Sequence, residues 1–236
     1  QAARGERIAA AGTLSQGIQL IDGSKELDSR HIACLYNLAM LYAGQGKCEE
    51  AEDAWLRAAN LTQRIHGAHS AEFATSLNNR ALLLEQQDRL AEAEDVYRQA
   101  LDLLHALRDR PSRESTQILI NLASLYVTQD RGSEAEELAH QVVEAYNARC
   151  DIPAVERAMA LNNVAGIYCR QSKYREAEPL LEEALQLAEA IDPESSELGL
   201  LASNLIVCYR MQGKTEKAEE LHKRAFGTAS SRLPSP

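Results

Sequence analysis

Large aromatic residues and long apolar runs are both scarce in this sequence. Its 236 residues include only 2 Phe and 1 Trp, although 45% of the residues are hydrophobic. No apolar run approaches the roughly 18 residues that a membrane-spanning helix needs, so we expect no membrane insertion. The apolar content comes instead from Ala and Leu, which together with Glu are strong helix formers. This composition favours an all-α protein.

The sequence also lacks an excess of positive charge and any cysteine pairing pattern. A net charge of −10 works against nucleic acid as a partner, because phosphates are bound by Lys and Arg. The 5 cysteines are an odd number without CxxC spacing, which favours reduced thiols over a disulfide framework. We therefore expect a cytoplasmic protein, or a mitochondrial one if a transit peptide was removed. Because the chain begins at Gln1, we expect a fragment or a processed form.

One asparagine recurs in a pattern that runs through almost the whole sequence. The pattern is clearest in residues 161–168, Leu-Asn-Asn-Val-Ala-Gly-Ile-Tyr. The asparagine returns three times at intervals of 42 residues and once more after 41, and an Ala-Glu pair follows each copy by 14 residues. A fixed period in this range is typical of an α-solenoid. The five positions are Asn37, Asn79, Asn121, Asn163 and Asn204.

Each repeat has the pattern of two helices joined by a turn. In the fourth repeat, apolar residues fall at helical spacing from Ala158 to Tyr168, and a Gln-Ser-Lys turn follows. Equivalent turns have Gly or Asp at the centre, which suits a chain reversal. We predict eleven helices in one domain over residues 1–226, followed by a disordered tail over 227–236. The predicted units are a single helix over 3–22 and pairs over 29–66, 71–108, 113–150, 155–191 and 197–226.

An alanine two positions after four of the asparagines, with an aromatic residue three positions later in three of those repeats, resembles the tetratricopeptide repeat. Ala165 and Tyr168 illustrate the pair. The 42-residue unit, with Leu-x-Asn-Leu-Ala-x-Leu-Tyr and Gln-Gly-Lys-x-x-Glu-Ala-Glu, is similar to the repeats of kinesin light chains over residues 29–226. The heptad region by which kinesin light chains bind the heavy chain has no counterpart here. The resemblance implies a right-handed α-solenoid whose first helices line a concave face and whose second helices form the convex face.

Three positions depart from the pattern of this family. Arg80 stands where a Leu is usual, Ile206 replaces the small residue, and Ala139 replaces a large one. We therefore expect the second, third and fifth repeats to pack less regularly than the others.

The recurring asparagines are the main candidate for a binding site. Asn has no preference for the middle of a helix, so its return at one position requires a cause. Helical spacing puts it beside the apolar stripe, near the border of the groove. An Asn amide can donate to and accept from the backbone of an extended peptide. With first helices roughly 10 Å apart, and a peptide advancing about 3.3 Å per residue, successive amides would meet about every third residue. The alternative is that each Asn bonds its own helix to the next.

Other groove positions flank the asparagines. Arg170 and Arg210 would add positive charge at one end, and their alternative role is compensation of the helix dipole. The mixture predicts a peptide with an apolar or aromatic anchor and acidic flanks. The expected peptide-binding set adds Tyr36, Asn78, Asn162, Arg170 and Arg210 to the five asparagines. Further groove positions are Met40, Leu82, Ile120, Ser124, Gly166, Ser203 and Val207.

Three other functional classes fit the sequence less well. A chaperone clamp would place Lys or Arg before the asparagines, and those positions hold no base. A bacterial peptide-sensing regulator would need a DNA-binding or enzymatic module that is absent here. The 6 histidines are scattered, and the Gly-Gln-Gly-Lys turn lacks P-loop spacing, so we expect no enzyme, no metal and no cofactor.

The sequence therefore predicts a noncatalytic adaptor that binds a peptide segment of another protein in a concave groove. The alternative is an assembly module that pairs through its convex face or its exposed ends. The sequence does not predict an oligomeric state.

Overall fold

The computed structural model describes residues 28–107, 112–147, 152–192 and 195–227, and the described residues form ten α-helices. The predicted helix over 3–22 and the tail beyond Gly227 lie outside the described residues. Within them, no helix is long and apolar enough to cross a membrane. The first helices of the five pairs are α1 (Ser29–Ala43), α3 (Ala71–Gln86), α5 (Arg113–Thr128), α7 (Ala154–Arg170) and α9 (Ser196–Met211). The second helices are α2 (Cys48–His66), α4 (Leu90–Leu107), α6 (Gly132–Asn147), α8 (Tyr174–Ile191) and α10 (Thr215–Phe226).

Side-chain caps define where several first helices begin. Asp28 accepts a hydrogen bond from the Arg30 backbone N–H, and Ser70 accepts one from the Phe73 backbone N–H. Ser112 and Ser115 cap each other at the start of α5, because each backbone N–H donates to the other residue's hydroxyl. These bonds satisfy N–H groups that have no partner inside the helix.

Every turn between the two helices of a pair uses the same backbone conformation. Its central residue has a positive φ in all five repeats, between 58° and 75°. Glycine adopts this left-handed conformation without strain, and Asp tolerates it better than most residues. The chain direction therefore reverses over the same short sequence each time. The central residues are Gly46, Asp88, Asp130, Ser172 and Gly213.

The chain divides into two compact units, residues 1–118 and 119–236. In the first unit, α1 packs on α2 and α3 packs on α4, while α2 and α1 both contact α3. Arg80, one of the departures from the repeat pattern, lies over the Trp55 ring with its guanidinium carbon 5.0 Å from the ring centroid. A cation–π contact therefore takes the place of apolar packing at this position.

In the second unit, α7 packs on α8 and α9 packs on α10, while α6 contacts α7 and α8 contacts α9. Ala139 and Ile206, the other two departures, are both buried.

Each alanine of the Ala-Glu pairs is completely buried, since only a small side chain allows the helices to approach closely. These alanines are Ala51, Ala93, Ala135, Ala177 and Ala218.

Candidate functional site

The five recurring asparagines all lie on first helices and retain contact with solvent. Asn37 on α1 is exposed, and the other four are partly exposed. Each lies next to a buried residue, for instance Leu38 after Asn37 and Val164 after Asn163. The amides therefore occupy the edge of the buried stripe, as helical spacing predicts.

Three predicted site residues that directly precede an asparagine, Tyr36, Asn78 and Asn162, lie deeper than the sequence analysis predicts. Asn78 and Asn162 are only 8% and 9% exposed, so little of either side chain is open to a ligand. The Tyr36 hydroxyl lies 3.2 Å from the Thr62 hydroxyl of α2, and burial raises the pKa of Tyr36. These three side chains belong to the packing between helices. Helical spacing alone could not show this, because the side of α1, α3 or α7 that meets a neighbouring helix depends on the packing angle.

One asparagine of the series joins two first helices directly. The Asn204 side-chain N–H donates to the Asn162 side-chain oxygen over 2.7 Å, which links α9 to α7. This bond is an instance of the alternative role, in which the amide holds neighbouring helices together. An amide has two N–H donors and an oxygen acceptor, so Asn204 keeps capacity for a ligand.

A second contact between first helices recurs in both units. Met40 of α1 lies with its sulfur 4.0 Å from the side-chain nitrogen of Gln86 on α3. Ser124 of α5 accepts a 2.7 Å hydrogen bond from the Arg170 guanidinium of α7. Both pairs are 46 residues apart and occupy the same places in their repeats. The residue three after an asparagine therefore meets the residue seven after the next asparagine. We call this arrangement the groove register.

The two predicted arginines do not occupy equivalent positions. Arg170 follows its asparagine by seven residues and Arg210 by six, so Arg210 corresponds to Cys169 of the previous repeat. Both arginines are exposed. Arg170 bonds to the neutral Ser124 hydroxyl, and within the described part of the chain neither arginine pairs with a carboxylate.

Several other basic side chains are paired with glutamates. In three repeats, the Lys or Arg that ends the turn contacts the glutamate of the Ala-Glu pair in the repeat before it. Each of these contacts is an ion pair between neighbouring repeats. The base and the glutamate are 37 or 36 residues apart in the sequence. This spacing predicts an ion pair only if each turn is known to lie beside the second helix of the repeat before it. The pairs are Arg89–Glu52, Lys173–Glu136 and Lys214–Glu178.

Helix α9 exposes apolar side chains on one face. Leu200, Val207 and Met211 are 48%, 55% and 58% exposed. Val207 was predicted to lie in the groove, and Leu200 is one of the groove positions before the asparagines that hold no base, while Met211 was not assigned to the groove. Its spacing of seven residues after Asn204 is the helical signal that could have identified Met211. This face is suited to contact with an apolar group.

The described residues contain no cluster of three His, Cys, Asp or Glu side chains that could hold a metal ion. A cavity of about 370 Å³ lies among α8, α9 and α10, on the side of the second helices. Several of its polar groups are paired: Tyr209 donates to Glu182 over 2.6 Å, and Arg224 lies 2.9 Å from Glu189.

Comparison with known proteins identifies the repeat. The sequence profile of the tetratricopeptide repeat matches residues 31–106, 72–148 and 156–230. A search of curated proteins gave no match. Among solved structures, BtubC (BKLC) from P. vanneervenii is similar with a TM-score of 0.74 and 20% identity, covering 99% of this chain and 95% of its own.

Two further structures share the fold. A protein from Podosopora anserina, described as a kinesin light chain with nearly identical TPR-like repeats, has a TM-score of 0.64 and 21% identity over 86% of this chain and 97% of its own. NprR, solved in complex with its cognate peptide NprX, has a TM-score of 0.57 and 19% identity over 92% of this chain and 60% of its own. At these identities the likeness shows the fold. The expected all-α solenoid of tetratricopeptide helix pairs is thus confirmed, the resemblance to kinesin light chain repeats extends to the fold, and the chain belongs to the tetratricopeptide repeat family.

Proposed function

We propose that this domain is a noncatalytic adaptor that binds an extended segment of a partner protein along its first helices. Tetratricopeptide repeats are in general protein-interaction modules, and NprR is a structurally similar protein with a bound peptide. The observation that carries the proposal is the recurrence of partly or fully exposed asparagines at one position of every first helix. A cytoplasmic location remains a prediction from the cysteine pattern.

The amides supply contacts to the peptide backbone. Asn37, Asn79, Asn121 and Asn163 have enough exposure for an amide to donate to a carbonyl and accept from an N–H. Each such bond contributes about 0.5–1.5 kcal/mol, so the series would set the register of the peptide with moderate affinity. One N–H group of Asn204 binds Asn162, and the rest of this amide is open to the peptide.

Two exposed arginines on the first helices favour a bound segment that carries negative charge. Arg170 and Arg210 are exposed cations on first helices, and no carboxylate of the described residues neutralises them. A carboxylate of the ligand would form a charge-assisted hydrogen bond with either guanidinium, and these are about twice as strong as neutral ones. We therefore expect the bound segment to carry Asp or Glu near an apolar anchor.

An array of random peptides of about 12 residues tests the proposal. The variants are an Asn121→Ala/Asn163→Ala double mutant and, as control, Asn60→Ala, which removes an exposed amide from α2. We expect the wild type and Asn60→Ala to bind the same peptides and the double mutant to lose them with its thermal midpoint maintained.

Two results would contradict the proposal. Unchanged peptide binding by the double mutant would show that the peptide binds another surface. That result would favour the alternative, an assembly module that uses the convex face or the ends of the array. A large fall in the thermal midpoint would instead assign the asparagines to helix–helix contacts, as the Asn204–Asn162 bond illustrates.

A further inference from the structure

Two cysteines of the second unit lie together between neighbouring first helices. Cys169 is in the last turn of α7 and is partly exposed, while Cys208 of α9 is completely buried. A side-chain hydrogen bond joins the two thiols. Two oxidisable groups from different repeats are therefore in contact inside the fold.

Further contacts hold the Cys208 side chain against the junction of α7 and α8. Its thiol donates to the Tyr174 carbonyl at the start of α8 over 3.2 Å, and the Gln212 side-chain nitrogen lies 3.5 Å from its sulfur. Gln212 also donates to the Tyr174 carbonyl over 3.0 Å. On the other side, the Cys169 carbonyl accepts the Ser172 N–H of the turn over 3.0 Å. The backbone around both thiols is therefore fixed by hydrogen bonds.

Another side-chain bond joins the same two first helices. The Asn204–Asn162 hydrogen bond lies one turn before Cys208 on α9 and two turns before Cys169 on α7. The fourth and fifth repeats are thus held at both places by contacts between single side chains. A covalent bond between the two sulfurs would add a permanent link to this row.

We propose that Cys169 and Cys208 form a reversible disulfide that locks the fourth repeat to the fifth, with a low-molecular-weight disulfide such as oxidised glutathione as the oxidant. The reduced pair seen in the structure is the other state of this redox couple. The inference goes beyond the proposed function and is independent of it, because no bound peptide is required.

The exchange takes two steps, and the exposure of the two thiols sets their order. The partly exposed Cys169, as the thiolate, attacks one sulfur of oxidised glutathione and releases the first glutathione thiolate. Cys208 then attacks the Cys169 sulfur of this mixed disulfide and releases the second one. The two thiol protons pass to the released thiolates, and the two electrons lost by the protein reduce the oxidant. Because burial raises the pKa of both thiols, we expect the reaction to take hours.

The disulfide should stabilise the second unit. It closes a loop of roughly 40 residues and so removes conformational entropy from the unfolded chain. For a chain of this size, we expect the thermal midpoint to rise by about 5–10 °C. Asn163 and Asn204 of the candidate site lie on the two locked helices, so oxidation would also fix the spacing between them.

The test oxidises the whole chain and locates the new bond. The protein is kept overnight at pH 8 with oxidised glutathione, its remaining thiols are blocked with iodoacetamide, and its tryptic peptides are mapped by mass spectrometry. We expect a cross-linked pair of peptides that contains Cys169 and Cys208 and lacks the mass of two hydrogen atoms. The thermal midpoint should rise by about 5–10 °C, and dithiothreitol should reverse both changes.

Two variants show which thiols are responsible. Cys169→Ser removes the partly exposed thiol of the pair, so both the cross-link and the rise in midpoint should be lost. Cys48→Ser is the matched control, because it removes an exposed thiol from the start of α2. It should retain both changes in full.

Three outcomes would overturn this inference. Glutathione that stays on Cys169 as a mixed disulfide would show that the Cys208 sulfur does not reach it. Two unmodified thiols, or a cross-link from either residue to a different cysteine, would show that the pair does not form this bond. A Cys169–Cys208 cross-link without a higher midpoint would show that the bond does not lock the repeats. None of these results depends on peptide binding, so failure of the proposed function is measured separately.

Discussion

Individual side chains connect neighbouring repeats through a small set of recurring positions. The buried alanines allow close approach, while Asn204 and Asn162 form a hydrogen bond between α9 and α7. The asparagine series thus has two roles available to it, ligand contact and helix contact. Which role dominates depends on exposure, and Asn37 is the most open of the series.

Removal of the Asn204 amide should destabilise the fold. Asn204→Ala leaves the oxygen of Asn162, which is 9% exposed, without its donor, at a cost of about 1–3 kcal/mol. Asn37→Ala is the matched control at the same repeat position, and its exposed amide should change stability by about 0.5 kcal/mol or less. Urea unfolding of both variants measures the difference. Equal stabilities would show that the Asn204–Asn162 bond contributes nothing.

The Cys208 thiol should make stability depend on alkaline pH. Burial raises its pKa from 9.0 to about 11, and it is completely buried, donating to the Tyr174 carbonyl over 3.2 Å. The folded state therefore holds this proton when the unfolded state has lost it. The contribution is present in full below about pH 9 and declines as the pH rises from there towards about 11.

The difference in unfolding free energy between wild type and Cys208→Ala, followed from pH 8 to 11, isolates this effect. We expect the difference to shrink as pH rises, and a constant difference would be contrary evidence. Alkylation by iodoacetamide at pH 8 should modify the exposed Cys48 much faster than Cys208.

At the scale of helices and turns, the chain reverses direction five times with one backbone conformation. Ser172 adopts a φ of 60°, and Gly213 adopts 75° at the equivalent position. A left-handed conformation costs a non-glycine residue about 1–2 kcal/mol, and Ser tolerates it less well than Gly. The repeated turn is therefore not equally relaxed in every repeat.

Substitutions at the central residues of two turns, Ser172→Gly and Gly213→Ala, should change the free energy of unfolding in opposite directions. Ser172→Gly should raise the free energy of unfolding by up to about 1 kcal/mol, since released strain outweighs the added chain entropy. Gly213→Ala should lower it by about 1 kcal/mol, and a Cβ there meets no atom within 4 Å, so the effect is one of backbone conformation alone. Chemical unfolding of both variants provides the comparison. Destabilisation by Ser172→Gly would show that the left-handed conformation at Ser172 is unstrained.

At the scale of the whole molecule, the pattern within a repeat could be predicted and the contacts between repeats could not. Local spacing was enough to predict paired helices and the Gln-x-Lys or Gln-x-Arg turns, because helix periodicity acts over a few residues. The ion pair from Lys173 to Glu136 could not be predicted without knowing which second helix lies beside each turn.

The same limit explains the outcome at the candidate site. Helical spacing placed Asn162 and Asn163 equally near the groove, but the structure buries Asn162 and leaves Asn163 partly exposed. The packing angle between helices decides this, and it depends on side chains far apart in the sequence.

The side-chain amide signals of Asn121 and Asn163 in nuclear magnetic resonance test the central claim most directly. A peptide selected from the random array is added to isotope-labelled protein, and Asn121→Ala and Asn163→Ala spectra assign the two signals. Peptide binding along the first helices predicts that both signals shift while the signal of Asn60, exposed on α2, stays in place. Unchanged Asn121 and Asn163 signals at saturating peptide would contradict the account.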